Sequence, residues 1–315
     1  MFKKLNTKFL IIILVVLGAI VLINKLYLSK KSENTFRATF VQIDTSLVNK
    51  ILIFPRADKG KEIKIEKTAS GWEVQQDKMK AAADTNFIRG VLASFVEMKS
   101  IALAGEDKSS WKDLQVTDSA GTQLKIFTSD DRTYDMVVGK FGYNQQTRNG
   151  ITYIRHTDEE AVYTIEGFLS FSINQGFNSW RNKTFIRGNK DDWASLSFSY
   201  PGDSSFTLAK QGASWMIDGM VTDSAKTEQY LSQVANLQSS GFADNYLPGP
   251  PAVYSVSING NNIPAPINVQ AYPADSAQKF ILHSSQNPEA YFSEAQSSIV
   301  GRLFKGKQSF LAETK

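Results

Sequence analysis

The sequence predicts an α+β fold: an N-terminal transmembrane helix followed by two tandem repeated modules of mainly antiparallel sheet with packed helices. Three observations carry this. First, a segment occurs twice. Ile63 to Val74 reads IKIEKTASGWEV, and Phe206 to Ile217 reads FTLAKQGASWMI; Trp72 and Trp215 stand 143 positions apart, as do Lys67 and Lys210. Repeats define the folding unit. Second, in both copies strand-like alternation gives way to helical spacing. Third, Phe9 to Ile23 is fifteen residues without a polar side chain, preceded by Lys3, Lys4 and Lys8.

The N-terminal run sets the expected localisation. Counted through Leu28, with Lys25 able to snorkel, it reaches the roughly 20 residues that cross a bilayer. No small-residue cleavage site follows, so an uncleaved signal anchor is preferred to a cleaved signal or a buried core helix. The expected layout is an anchor at 1–28 (span about 9–28), a tether at 29–39, module one at 40–185 and module two at 190–315. The protein would then sit in the inner (cytoplasmic) membrane as a single-pass protein, N-terminus inside, with its body in the periplasm. Charge does not set that orientation, because lysines flank the run on both sides.

The chain has 315 residues, 35 basic and 31 acidic, and no Cys. Absent cysteines exclude disulfides, thiolate metal sites and Cys nucleophiles. Six of the basic residues fall within the first 31; the remainder has 29 basic against 31 acidic residues. A nucleic-acid partner needs a basic patch on the folded domain, so none is expected.

Along module one, Val48–Phe54, Ile63–Glu66 and Gly71–Val74 read as strands. Asp84 then caps a helix whose apolar face is Phe87, Ile88, Val91, Leu92, Phe95 and Met98. Along module two, Ala194–Tyr200 alternates, the Trp215 strand follows, and Asp223 caps a helix carrying Tyr230, Leu231, Val234 and Leu237. Further on, Tyr153–Thr157 matches Phe280–Ser284, which places His156 and His283 in corresponding strands. Helices at Phe168–Phe177 and Ile299–Phe304 close the copies.

No stretch carries a catalytic signature. His156 with Asp158, Glu159 and Glu160 could form a metal or acid–base cluster; a strand end and a solvated hairpin tip is the plainer reading. Ser109 and Lys112 match Ser-x-x-Lys without its companion motifs. Phe168, Phe171, Phe177 and Trp180 could present a sugar- or partner-binding platform, although helical spacing suits a core. The sites where the copies differ are Trp111 and the loop Tyr246-Leu247-Pro248-Gly249-Pro250-Pro251. Trp111, Tyr246, Pro248, Pro250 and Pro251 are therefore the interaction candidates, and Trp72, Trp215, Lys67 and Lys210 the repeat-defining structural ones. No catalytic, cofactor-binding or metal residue is assigned, and no cofactor is expected.

The Gly71-Trp72 strand, the Ala83-Asp84 helix start, Val138-Gly139-Lys140, Ile151-Thr152-Tyr153-Ile154, Val162-Tyr163-Thr164-Ile165 and Trp180-Arg181-Asn182-Lys183 together resemble the domain-of-unknown-function 4340 family over roughly Val41 to Phe242. Two family features are missing: a Pro after the Trp strand, where Gln75–Lys78 stands, and a Gly and Pro around Trp111–Leu114. The resemblance implies a membrane-anchored envelope protein without established catalysis, linked to gliding-motility-type ABC transporter components. The expected function is a non-catalytic, membrane-anchored interaction or scaffold component of an envelope complex, not an enzyme. Its partners would be the membrane and envelope proteins, ABC transporter components among them. A ligand- or glycan-binding module with a cleft between the copies is the alternative, and a hydrolase ranks third.

Overall fold

A computed structural model of the chain describes residues 17, 38–145, 147–274, 280–296 and 298–312. The expected span at about 9–28 lies outside these residues, apart from Leu17.

The first copy runs β1 (Thr39–Val41), β2 (Val48–Phe54), β3 (Ile63–Thr68), β4 (Gly71–Gln76), β5 (Met79–Ala82), α1 (Thr85–Ala93), β6 (Met98–Gly105), α2 (Trp111–Leu114), β7 (Thr122–Thr128), β8 (Thr133–Asn144), β9 (Asn149–His156), β10 (Val162–Glu166), α3 (Leu169–Ile173) and α4 (Phe177–Trp180). The second runs β11 (Thr184–Arg187), β12 (Trp193–Ser199), β13 (Phe206–Gln211), β14 (Ser214–Ile217), β15 (Met220–Val221), α5 (Ser224–Val234), β16 (Asn236–Gln238), β17 (Tyr254–Gly260), β18 (Ile267–Pro273), β19 (Phe280–Ser284), β20 (Tyr291–Ser293) and α6 (Ile299–Leu303).

These strands form three antiparallel sheets. One has the order β1-β6-β10-β9-β8-β7-β2-β3-β4-β5, a second β20-β19-β18-β17-β12-β13-β14-β15, and β11 pairs with β16. The expected α+β class with an N-terminal transmembrane helix is therefore corrected: the described chain is sheet-dominated. Among the described residues no helix is long and apolar enough to cross a membrane. The helix content was over-read for a physical reason. The apolar face at Phe87–Met98 continues past the end of α1 at Ala93; Phe95 and Met98 are buried, but Met98 already opens β6. Likewise, the expected helix Phe168–Phe177 is two short ones, α3 and α4, divided by Asn174-Gln175-Gly176.

Strand for strand, β10 to β5 of the first sheet correspond to β20 to β15 of the second. Lys67 faces Trp72 in one ladder and Lys210 faces Trp215 in the other. The Trp72 carbonyl accepts from the Ala83 N–H at 2.8 Å, and the Trp215 carbonyl from the Thr222 N–H at 2.9 Å. The helix start closes the same way twice. The Asp84 N–H donates to the Trp180 carbonyl, and the Asp223 N–H to the Phe310 carbonyl, both at 2.8 Å. Asp84 accepts from the Asn86 and Phe87 N–H groups, and Asp223 from that of Lys226, so both are N-caps.

Period-2 patterning explains the burial. In β7, Thr122, Leu124, Ile126 and Thr128 are buried and the residues between them only partly so. One core runs from Phe40 to Trp180 and a second from Phe185 to Phe310. α1 buries Ile88, Val91 and Leu92 in the first, each worth about 1.5–3 kcal/mol. The copies diverge after the helix. The eight-residue β6 bridges β1 and β10, whereas β16 has three residues and pairs with β11; the chain then follows β20 only through a Phe242–Phe292 bridge.

The second core carries a pH-sensitive contact. The Tyr230 hydroxyl donates to the Leu303 carbonyl at 2.7 Å and the Tyr200 hydroxyl to that of Lys305 at 2.8 Å, at the end of α6. Burial pushes both hydroxyls well above the usual tyrosine range. Unfolded tyrosines ionise near about pH 10 and the folded ones above it, so this stability is complete below about pH 10 and is lost as pH rises further. The urea midpoint should fall between about pH 9 and about pH 11, and Tyr230→Phe should reduce that fall.

Candidate functional site

Four of the polar side chains weighed from the sequence have partners within the chain. His156 Nε2 donates to the Phe40 carbonyl at 3.1 Å, with the rings stacked 4.2 Å apart. His283 Nε2 donates to the Pro288 carbonyl at 3.0 Å. Glu160 pairs with Lys108 at 3.5 Å, both side chains exposed, which contributes little. The Ser109 hydroxyl donates to Asp107 at 2.5 Å, within the cap of a 3₁₀ turn. Among the described residues no three His, Asp or Glu side chains are grouped to hold a metal ion.

Trp111 is turned inward. Its Nε1 donates to the Glu160 carbonyl at 2.8 Å, and its ring covers the Arg155 guanidinium 3.8 Å away. Arg155 is 1 % exposed and donates to the carbonyls of Val116, His156 and Thr157 and to Asp118. Desolvation lowers its pKa, and Asp118 opposes that shift. Trp111, with Leu114 and Tyr153, packs on Val116, Val137 and Val162.

The corresponding loop of the second copy turns outward. Tyr246 is anchored, its ring centroid 5.1 Å from that of Tyr291 and 5.9 Å from that of Tyr272. Burial raises the pKa of its hydroxyl. Beyond it the chain is open: Leu247 is 85 % exposed, and Pro248, Gly249, Pro250 and Pro251 are exposed.

At the loop's base lies the junction between the copies. Arg181, 4 % exposed, forms a bidentate pair with Asp244 at 2.8 and 2.7 Å and lies 3.6 Å over the Phe242 ring. Backbone contacts fix it from both sides. The Asn182 N–H donates to the Ala82 carbonyl, the Ser239 N–H to that of Lys183, and the Asn287 side chain to that of Asn182. A cleft of about 220 Å³ opens here, lined by Lys80, Arg181, Asp244, Asn287 and Glu289 among others. A second, of about 500 Å³, lies beside Tyr246, Pro273 and Ile281. Arg181, Phe242 and Asp244 were not singled out as site residues from sequence; the Trp180–Lys183 motif at the module boundary was the available signal. Of the four aromatics considered as a platform, Phe177 and Trp180 are core, whereas Phe168 and Phe171 are 59 % and 55 % exposed.

A family profile described as Domain of unknown function (DUF4340) matches residues 72–256. The chain belongs to this family. The match starts at Trp72 in β4 and ends at Val256 in β17, so in this DUF4340 member it spans the junction and the Tyr246–Pro251 loop. No curated protein and no solved structure matches the chain.

Proposed function

We propose that this DUF4340 protein is a non-catalytic interaction module that presents the Tyr246–Pro251 loop to a protein partner in an envelope complex. One observation carries the reading: the loop is packed at its base and open at its tip. Tyr246 and the Arg181–Asp244 pair hold the base, and Leu247 projects into solvent. Prolines limit the conformations of the free tip, so less entropy is lost when a partner orders it. The apolar run Phe9–Ile23 behind three lysines supports an extracytoplasmic setting. The polar cleft at the junction favours a second reading, ligand binding between the copies.

A photo-cross-linking side chain at position 247 of the full chain, expressed in its native cells, tests the first reading. A discrete adduct from 247, absent from position 212 in the β13–β14 turn, is expected. No adduct at 247, or the same pattern from both positions, would contradict it.

A further inference from the structure

The edge of the first sheet opens into the junction cleft. β5 is the last strand of that sheet. Its length comes from four residues that the second copy lacks: eleven positions separate Trp72 from its bonded partner Ala83, and seven separate Trp215 from Thr222. They lengthen the hairpin. β4 and β5 make four ladder pairs, from Glu73–Ala82 to Gln76–Met79, whereas β14 and β15 make two, Met216–Val221 and Ile217–Met220.

Backbone alternation decides which groups of β5 stay free. In an antiparallel ladder, successive residues turn their N–H and C=O groups to opposite sides. The Ala83 N–H bonds the Trp72 carbonyl, so Ala81 and Met79 also bond to β4, and Ala82 and Lys80 turn outward. The Ala82 carbonyl has this parity, since it accepts from the Asn182 N–H at 2.8 Å. A further strand begins there and stops. Ala83 bridges Arg181 in antiparallel sense, but the Asn182 carbonyl is taken by the Asn287 side chain at 2.7 Å. Among the described residues, the Ala82 N–H and the Lys80 N–H and carbonyl have no hydrogen-bond partner. Unpaired groups on a sheet edge are a template for another extended backbone.

The edge is walled. Met79, Lys80, Ala81 and Ala82 line the cleft of about 220 Å³ together with Asn287 and Glu289 of the β19–β20 turn. The β5 of a second copy is walled in the same way, so two such edges do not meet, whereas a single extended segment can enter. Two cations of the cleft are already paired, Arg181 with Asp244 at 2.7 Å and Lys80 with Glu73 at 3.0 Å. Glu289 is exposed and pairs with no cation among the described residues. The uncompensated charge is therefore negative.

We propose that this cleft binds an extended segment of a partner protein, about as long as β5 and carrying a Lys or Arg, as an added antiparallel strand. The segment continues the ladder that the Ala83–Arg181 bridge begins. Its backbone meets the free N–H and carbonyl of Lys80, and its basic side chain offsets the charge of Glu289. The site needs no contact from Leu247 or the prolines beyond it, so it stands apart from the loop tip.

The test uses the full-length chain and fluorescein-labelled, end-capped pentapeptides of sequence Thr-Val-Lys-Val-Thr and Thr-Val-Glu-Val-Thr. The Lys peptide should bind about threefold more tightly than the Glu peptide, and Glu289→Gln should remove that preference. Methylating the peptide amides one at a time should weaken binding about tenfold at one parity and much less at the other. Lys80→Pro removes an outward N–H, which an edge strand tolerates; binding should fall about tenfold with little change in the urea midpoint. Lys80→Ala keeps that N–H and should bind at least as well as the parent chain. Ala81→Pro, which removes an N–H from the β4 ladder, should lower the midpoint. Replacing Leu247–Pro251 by Gly and Ser should leave peptide binding unchanged. No binding by either peptide, equal weakening at both parities, or a loss in Lys80→Ala as large as in Lys80→Pro would overturn the proposal.

Discussion

Replacing Arg181 by Ala is expected to destabilise the chain by about 3–5 kcal/mol, the usual cost of breaking a buried ion pair from one side. Arg181 donates twice to Asp244 and covers Phe242; its side chain is 5 % exposed and that of Asp244 29 %. Its removal leaves the partly exposed Asp244 carboxylate unpaired and strips the ring of its cover. Asp244→Ala should cost a similar amount, because it strands the guanidinium. Exchanging both residues for apolar ones of similar volume should recover much of the loss, since the pair's attraction is spent largely on its own desolvation. Urea denaturation of the two single variants and the double variant measures this. Additive losses would show that the side chains do not act as a pair. Arg155–Asp118 makes a useful contrast: the Asp118 side chain is 72 % exposed, so water replaces it readily.

Trp180→Ala and Phe310→Ala are expected to cost about 3–5 kcal/mol each, the range for large aromatic truncations in a core. Trp180 is 0 % and Phe310 1 % exposed, and each backbone carbonyl receives the N–H of a helix-capping Asp. The two residues are equivalent closures of equivalent units, so the damage should be local and parallel. Hydrogen exchange should show lost protection in β4, β5 and α1 for Trp180→Ala, and in β14, β15 and α5 for Phe310→Ala. Loss spread evenly over both copies in either variant would argue against separate cores.

The parts of this fold legible in the sequence are those set by local rules. Asp84 and Asp223 are caps because a short carboxylate before an apolar face satisfies helix N–H groups, and both do so. The Trp72 and Trp215 segments share a ladder position because alternation fixes strand register. Helix extent was less legible. At Phe95 and Met98 burial demands an apolar residue whether the chain is helix or strand, so the face read on past Ala93. The site depends on contacts distant in sequence. Nothing near Trp111 says that its indole will meet the Glu160 carbonyl and cover Arg155. Phe168, Phe171, Phe177 and Trp180 share one residue class, and only the packed sheet decides that the first two face solvent. Arg181 and Asp244 lie 63 positions apart and meet only once both copies have folded.

The proposed function lies where the copies differ, with the shared framework as its scaffold. The outward loop is one such difference that faces solvent. Replacing Leu247–Pro251 by a Gly/Ser segment of equal length, and comparing the full chain with the replaced chain for urea midpoint and for partners co-purified from native cells, tests this most directly. The account predicts an unchanged midpoint and loss of the partner; a replaced chain that folds equally well and keeps its partner would contradict it.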